Sequence, residues 1–205
     1  MLSAAWPAPA KLNLFLHITG RRDDGYHLLQ TVFQFVDLQD EIDFTITAQD
    51  VVNRVSDLPG VAVKDDLVVR AAYKLKQYTD SKKGVDINVL KRIPEGGGLG
   101  GGSSDAATTL VALNHLWKTG CSVDELAELG LELGADVPVF IRGHAAWAEG
   151  VGEKIAPVTP KECVYLVIHP GCSIATADIF GANDLTRNTP AITIRDFLEQ
   201  GGSND

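Results

Sequence analysis

The chain has 205 residues, of which 45% are hydrophobic and 22% charged, and a formal net charge of −9. That content supports one domain, or one and a half, around a proper core, and the acidic balance without any Lys/Arg cluster argues against nucleic acid as a partner. Cys121, Cys163 and Cys172 form no C-x-x-C pair and read as reduced thiols of a cytoplasmic protein, not as a disulfide frame or zinc site. No apolar run approaches ~18 residues, so no membrane span is predicted. The opening MLSAAWPAPAKLNLFL lacks the basic region of a signal peptide and is broken by prolines, Lys11 and Asn13.

In chain order, the first third reads as β. In KLNLFLHI (11–18), Leu12, Leu14, Leu16 and Ile18 alternate with Lys11, Asn13, Phe15 and His17, the period of a half-buried strand. GRRDDGYH (20–27) is a turn signal. TVFQFV (31–36) and EIDFTIT (41–47) follow as two strands, with a weaker one near 51–56. DDLVVRAAYKLKQY (65–78) predicts a helix with an Asp cap and an apolar stripe of Leu67, Val68, Ala71, Leu75 and Tyr78. VDINVLKR (85–92) returns as a strand.

A glycine loop, PEGGGLGGGSSDAA (94–107), comes next. After it a helix is predicted over 103–117, capped by serine and closed by Gly120. Ser122 and Glu125 have capping-box spacing for a second helix, 123–133. GADVPVF (134–140) breaks the pattern at Pro138, and 144–158 reads as a hairpin about Gly150–Gly152. CVYLVIHP (163–170) reads as a short buried strand, followed by short helices near 176–182 and 193–200. Trp117, Trp147 and the Val/Leu positions of 163–168 are most simply core. The order is β, then α, then β with small helices, an α+β layout with no repeat or linker.

Six glycines within seven residues need a reason, because glycine is costly to order. Between a strand and a helix they leave backbone N–H groups free to face an anion, and the helix N-terminus adds about half a positive charge. The Ser103 and Ser104 hydroxyls suit phosphate or Mg²⁺. A Walker loop fails, since no lysine follows the glycines. A dinucleotide fingerprint is matched only trivially, and it belongs at a first strand among βαβ units. A flexible linker does not suit a position between a strong strand and a helix. The loop therefore reads as a phosphate cradle.

With these residues in view, PEGGGLGGGSS resembles the second motif of the GHMP kinase superfamily, which includes homoserine and mevalonate kinases. PAKLNLFLHITGRRDDGYHLLQTVFQ (9–34) and LGADVPVFIRGHAAWAEGVGE (133–153) resemble blocks of its branch that phosphorylates the 2-hydroxyl of a cytidine-diphosphate-linked methylerythritol, in non-mevalonate isoprenoid synthesis. The similarity runs from about Trp6 to the end. It implies an α+β fold: a GHMP N-terminal domain of ribosomal protein S5 domain 2-like layout over 1–160, and the start of a second α+β domain over 161–205.

By itself Asp136 reads as a cap or turn aspartate; the resemblance makes it the base that takes the substrate hydroxyl proton. Lys11, otherwise a solvated strand residue, becomes its cationic neighbour, and Asn13, on the same strand face, a substrate contact. The resemblance implies ATP, with Mg²⁺, on Pro94, Glu95, Gly96, Gly97, Gly98, Leu99, Gly100, Gly101, Gly102, Ser103 and Ser104. It puts Lys91 and Asp66 near the adenine. Asp66 stands where the family usually has Asn, so its side chain cannot donate and helix capping is an equal reading. Tyr26, His27 and Phe180 are implied at the cytosine, Tyr26 and Phe180 by stacking and His27 on the base edge. No metal ligand is assigned. The family carries a further glycine motif that this chain lacks. The expectation is a chain weakened or inactive in turnover, with exposed apolar surface. Two alternatives stay open: another GHMP kinase of homoserine or mevalonate type, and an inactive nucleotide-binding fragment.

Overall fold

The computed structural model describes residues 5–171 and 176–199; Cys172 and the tail 200–205 lie outside them. Alternating side chains in the first third form two long strands, β1 (Trp6–Arg21) and β2 (His27–Thr47), which pair with each other. The two strands predicted at 31–36 and 41–47 are one. The polar residues between them need no turn, because fully buried Asp40 accepts hydrogen bonds from the backbone N–H groups of Arg92 and Ile93. The chain divides into two compact units: residues 1–10, 37–93 and 100–143, and residues 11–36, 94–99 and 144–205.

In the first unit, residues 41–47 of β2 pair antiparallel with β4 (Gly84–Leu90), register Glu41 to Leu90, and β4 pairs parallel with β3 (Val52–Arg54). Helices α1 (Leu67–Thr79), α2 (Gly101–Trp117), α3 (Val123–Leu131) and α4 (Val137–Arg142) complete it, with α1 and α4 both packed on α2. Their core joins Ile42, Ile87, Leu75, Leu110, Leu113 and Trp117, all buried. Ser122 and Glu125 make the predicted capping box. The serine cap expected for α2 is corrected: its N-cap is Gly100, at φ 74°, so Ser103 and Ser104 lie inside the first turn. The helix ends at Lys118, in the left-handed region, before Gly120. Pro138 does not break a helix but begins α4, since its missing N–H falls where no intrahelical bond is needed.

In the second unit, Leu29–Phe33 of β2 pair antiparallel with β5 (Ala146–Gly150), which forms the predicted hairpin with β6 (Lys154–Pro157). Short helices α5 (Thr176–Gly181) and α6 (Ile194–Glu199) stand where expected. Phe15, Val32, Trp147 and Phe197 form the core, with the Phe15 ring 5.4 Å from both Trp147 and Phe197. The alternation in β1 therefore departs from expectation: Phe15 is inside and Leu16 exposed.

The buried strand expected at 163–170 is also corrected. That segment has no ladder partner among the described strands, and a strand with unpaired backbone groups is not stable. Val164, Leu166 and Ile168 are 102%, 87% and 79% exposed, so these positions are not core.

Candidate active site

The second unit gathers Lys11, Asn13 and residues 94–99 of the glycine loop. Lys11 is 5% exposed; its ammonium donates to Asn13 Oδ1 at 2.5 Å and lies 5.2 Å above the centre of the Phe33 ring. Asn13 in turn donates to Thr31 Oγ1 (2.8 Å), and Thr31 to the Phe15 carbonyl (2.5 Å). Each group in this relay fixes the one before it, so Lys11 and Asn13 share one face in one geometry. The Lys11 backbone N–H donates to the Leu99 carbonyl at 2.9 Å, which ties the middle of the glycine run to β1 at the lysine itself. Within the loop, Gly98 stands at φ 70°, a region L side chains rarely enter. Gly97 is needed for close approach: a Cβ there would come within 2.9 Å of the His169 ring.

The loop leads into α2 in the first unit. Ser104 is fully buried, and its hydroxyl has no partner among the described residues. The turn carrying Asp136 lies beside this first helical turn, since a Cβ at Gly134 would be 3.6 Å from Ser103 Oγ. Asp136 is half-buried at the start of α4, and its carboxylate does not cap that helix. The capping reading thus fails here, although it holds for Asp66. Asp66 accepts from Val68 N–H at 2.9 Å and from Arg54 at 2.8 Å, so its carboxylate is engaged by the fold.

Lys91 is similarly engaged. Its ammonium joins Asp40 to Asp105, the latter at 2.8 Å. Asp40 also holds the backbone of Arg92 and Ile93, and Asp105 sits on α2, so the three residues join the strand that enters the glycine loop to the helix that leaves it. Burial pushes Asp105 from 3.8 up to about 7; the Lys91 ammonium opposes this and the Asp40 carboxylate adds to it. The folded protein therefore holds this proton more tightly than the unfolded chain. The stability Asp105 contributes is complete below about pH 4 and is lost as pH rises towards about 7. Asp105→Asn, which carries no charge at either pH, is expected to gain several degrees in Tm relative to the parent between pH 5 and pH 8. A Tm difference that does not change with pH would count against this.

Tyr26, His27 and Phe180 meet at a cavity of about 490 Å³ in the second unit, lined also by Arg21, Asp24 and Val151. His27 stacks on Phe180 with ring centres 5.0 Å apart and planes 24° from parallel, and Tyr26 is 64% exposed at the same cavity. Burial, then the guanidiniums of Arg187 and Arg21, hold the His27 imidazole below its usual pKa, which favours the neutral ring.

Sequence reasoning missed Asp40, Asp105, Thr31, His169 and Arg187. Asp105 follows directly on Ser104 and was legible as a polar residue on a helix face otherwise rich in alanine. The others carry no local signal. Among the described residues no cluster of three or more His, Cys, Asp or Glu suits a metal, and no helix is long and apolar enough to cross a membrane.

Comparison with known proteins matches residues 66–144 to the family described as GHMP kinases N terminal domain. The 4-diphosphocytidyl-2-C-methyl-D-erythritol kinase of Nitrosococcus oceani is 59% identical over 199 residues, covering 97% of this chain and 71% of that protein. The enzyme of the same name from Halorhodospira halophila is 57% identical over 205 residues, covering 98% and 71%. The chain thus spans about 71% of the length of these relatives. Among solved structures, a 4-(cytidine 5'-diphospho)-2C-methyl-D-erythritol kinase superposes with a TM-score of 0.82 at 34% identity, over 96% of this chain and 70% of that one. A homoserine kinase from Cytophaga hutchinsonii, at TM-score 0.64 and 17% identity, shares the fold alone. With more than half its residues identical to relatives of which it covers over two thirds, the chain belongs to the 4-diphosphocytidyl-2-C-methyl-D-erythritol kinase family of the GHMP kinases.

Proposed function

We propose that this chain is an ATP-dependent kinase that phosphorylates the 2-hydroxyl of 4-diphosphocytidyl-2-C-methyl-D-erythritol. It yields the 2-phosphate and ADP, in the cytoplasm, as a step of non-mevalonate isoprenoid precursor synthesis. The observation that carries this reading is the cavity at Tyr26, His27 and Phe180, because the acceptors homoserine and mevalonate carry no base for it to hold.

Residues 1–160 serve as the GHMP N-terminal, ATP-binding domain, and 161–205 as the start of a C-terminal GHMP domain. The loop Pro94–Gly102 wraps the ATP phosphates with its backbone N–H groups. Ser103 and Ser104 close the cradle at the start of α2, where the helix dipole favours anions. The unpartnered Ser104 hydroxyl fits a phosphate or a phosphate-bound Mg²⁺. When bound, Mg²⁺ neutralises charge on the phosphates.

Asp136 takes the proton from the 2-hydroxyl as the alcohol oxygen bonds to the γ-phosphorus and the bond to the ADP oxygen breaks. Lys11 favours the ionised carboxylate and the developing alkoxide, and Asn13 orients the acceptor. Lys91 and Asp66 act near the adenine through their backbone, since their side chains are engaged within the fold. The base stacks between Tyr26 and Phe180, with His27 at its edge.

The test is ADP release with ATP, Mg²⁺ and one of three acceptors. The cytidylated methylerythritol is expected to support turnover, and mevalonate and homoserine are not. Turnover with either of the latter instead would assign another GHMP kinase. No turnover, with cytidine binding intact, would assign a nucleotide-binding fragment.

A further inference from the structure

Arg187 lies far along the chain from any motif, yet all of its donor nitrogens are engaged in the second unit. Nε donates to His27 Nε2 at 3.2 Å. One terminal nitrogen donates to the Leu185 carbonyl at 3.0 Å, and the other to the carbonyls of Phe180 and Ala182 at 2.9 and 2.7 Å. This guanidinium therefore holds both members of the stacked pair, the histidine by its ring and the phenylalanine by its backbone.

The contact to His27 has a chemical consequence. Guanidinium nitrogens are donors only and stay protonated. The imidazole Nε2 must then present its lone pair, and a neutral ring carries its proton on Nδ1. A second proton on Nε2 would meet the Arg187 N–H and its charge, with Arg21 adding to the repulsion. Among the described residues no acceptor takes the Nδ1 proton.

We propose that Arg187 is a specificity-determining positioning residue: by locking His27 as the Nδ1–H tautomer and anchoring Phe180, it makes the cavity present a hydrogen-bond donor to the base. The inference rests on the cytidine reading above. A donor matches the ring-nitrogen acceptor N3 of cytosine and opposes the N3–H of uracil. A site built around one hydrogen bond rejects the analogue that cannot make it, since a polar group is left unpaired. Asp24, the acidic residue lining the cavity, does not touch His27 in this arrangement.

The test needs no turnover. Binding of cytidine 5'-diphosphate and uridine 5'-diphosphate to the full chain is measured by calorimetry for the parent and for Arg187→Met, which keeps bulk but no donor. The parent is expected to favour the cytidine nucleotide at least ~10-fold. The variant is expected to lose most of that affinity, with a ratio near one.

The His27 tautomer in the parent is read separately from long-range ¹H–¹⁵N spectra, its signals assigned by their loss in His27→Gln. The Nδ1–H form is expected at pH 8, where the neutral ring prevails. Should the parent not bind the cytidine nucleotide, the cytidine reading falls and this inference with it. Should the parent discriminate while His27 is Nε2–H, or while Arg187→Met discriminates as well, this inference alone is overturned. If the variant binds nothing, the tautomer in the parent decides.

Discussion

Asp136→Asn is expected to reduce kcat by about 10²–10⁴-fold while leaving the KM for the cytidylated substrate within a few-fold. The amide keeps the size and shape of the carboxylate but cannot accept the hydroxyl proton. Phosphoryl transfer passes through a loose transition state in which positioning and charge neutralisation do most of the work, so activity falls without vanishing. The geometry supports the assignment in two ways: the side chain is not used to cap α4, and its turn lies beside Ser103 at the start of α2. Steady-state kinetics at saturating ATP would decide it. A variant turning over within tenfold of the parent would remove Asp136 from the role of base. A large rise in KM with kcat unchanged would make it a binding residue instead.

Lys91→Met is expected to cost about 3–5 kcal/mol of folding stability, the usual result of removing one partner from a buried ionic cluster. Asp40 is fully buried and Asp105 is 5% exposed, so both carboxylates would lose the cation that compensates their burial. Asp40 would still receive two backbone N–H groups, but Asp105 already has one oxygen without a partner. Urea unfolding measures the loss. Pairing the change with Asp105→Leu should restore a good part of it, because apolar side chains of similar volume replace buried ion pairs at little cost. If Lys91→Met cost under ~1 kcal/mol, the cluster would be no more than a surface ion pair. Since the cluster joins the two chain segments flanking the glycine loop, weaker ATP binding is expected in the single variant and recovery in the double one.

The exposed Val164, Leu166 and Ile168 agree with the apolar surface expected from the sequence, although that segment is not the buried strand the pattern suggested. A continuous apolar run states what a segment would bury, not whether a neighbouring strand is there to receive it.

By itself the sequence determined whatever depends on neighbours within a helical turn or a strand repeat. The Asp66 cap of α1, the Ser122–Glu125 capping box, the β5–β6 hairpin and the glycine loop entering a helix are of this kind. The blocks around Lys11, the glycine loop and Asp136 also carried the family. The tertiary structure alone decided where buried charge finds its partner. Lys91 meets Asp40 from 51 residues away, and Arg187 meets His27 from 160. The backbone donors of Arg92 and Ile93 likewise reach Asp40 from distant chain and let β2 run on as one strand, and the contact from Arg187 underlies the tautomer proposed for His27. Burying a polar group is costly unless a partner is in place, and distant partners are supplied by the fold as a whole, so no local pattern encodes them.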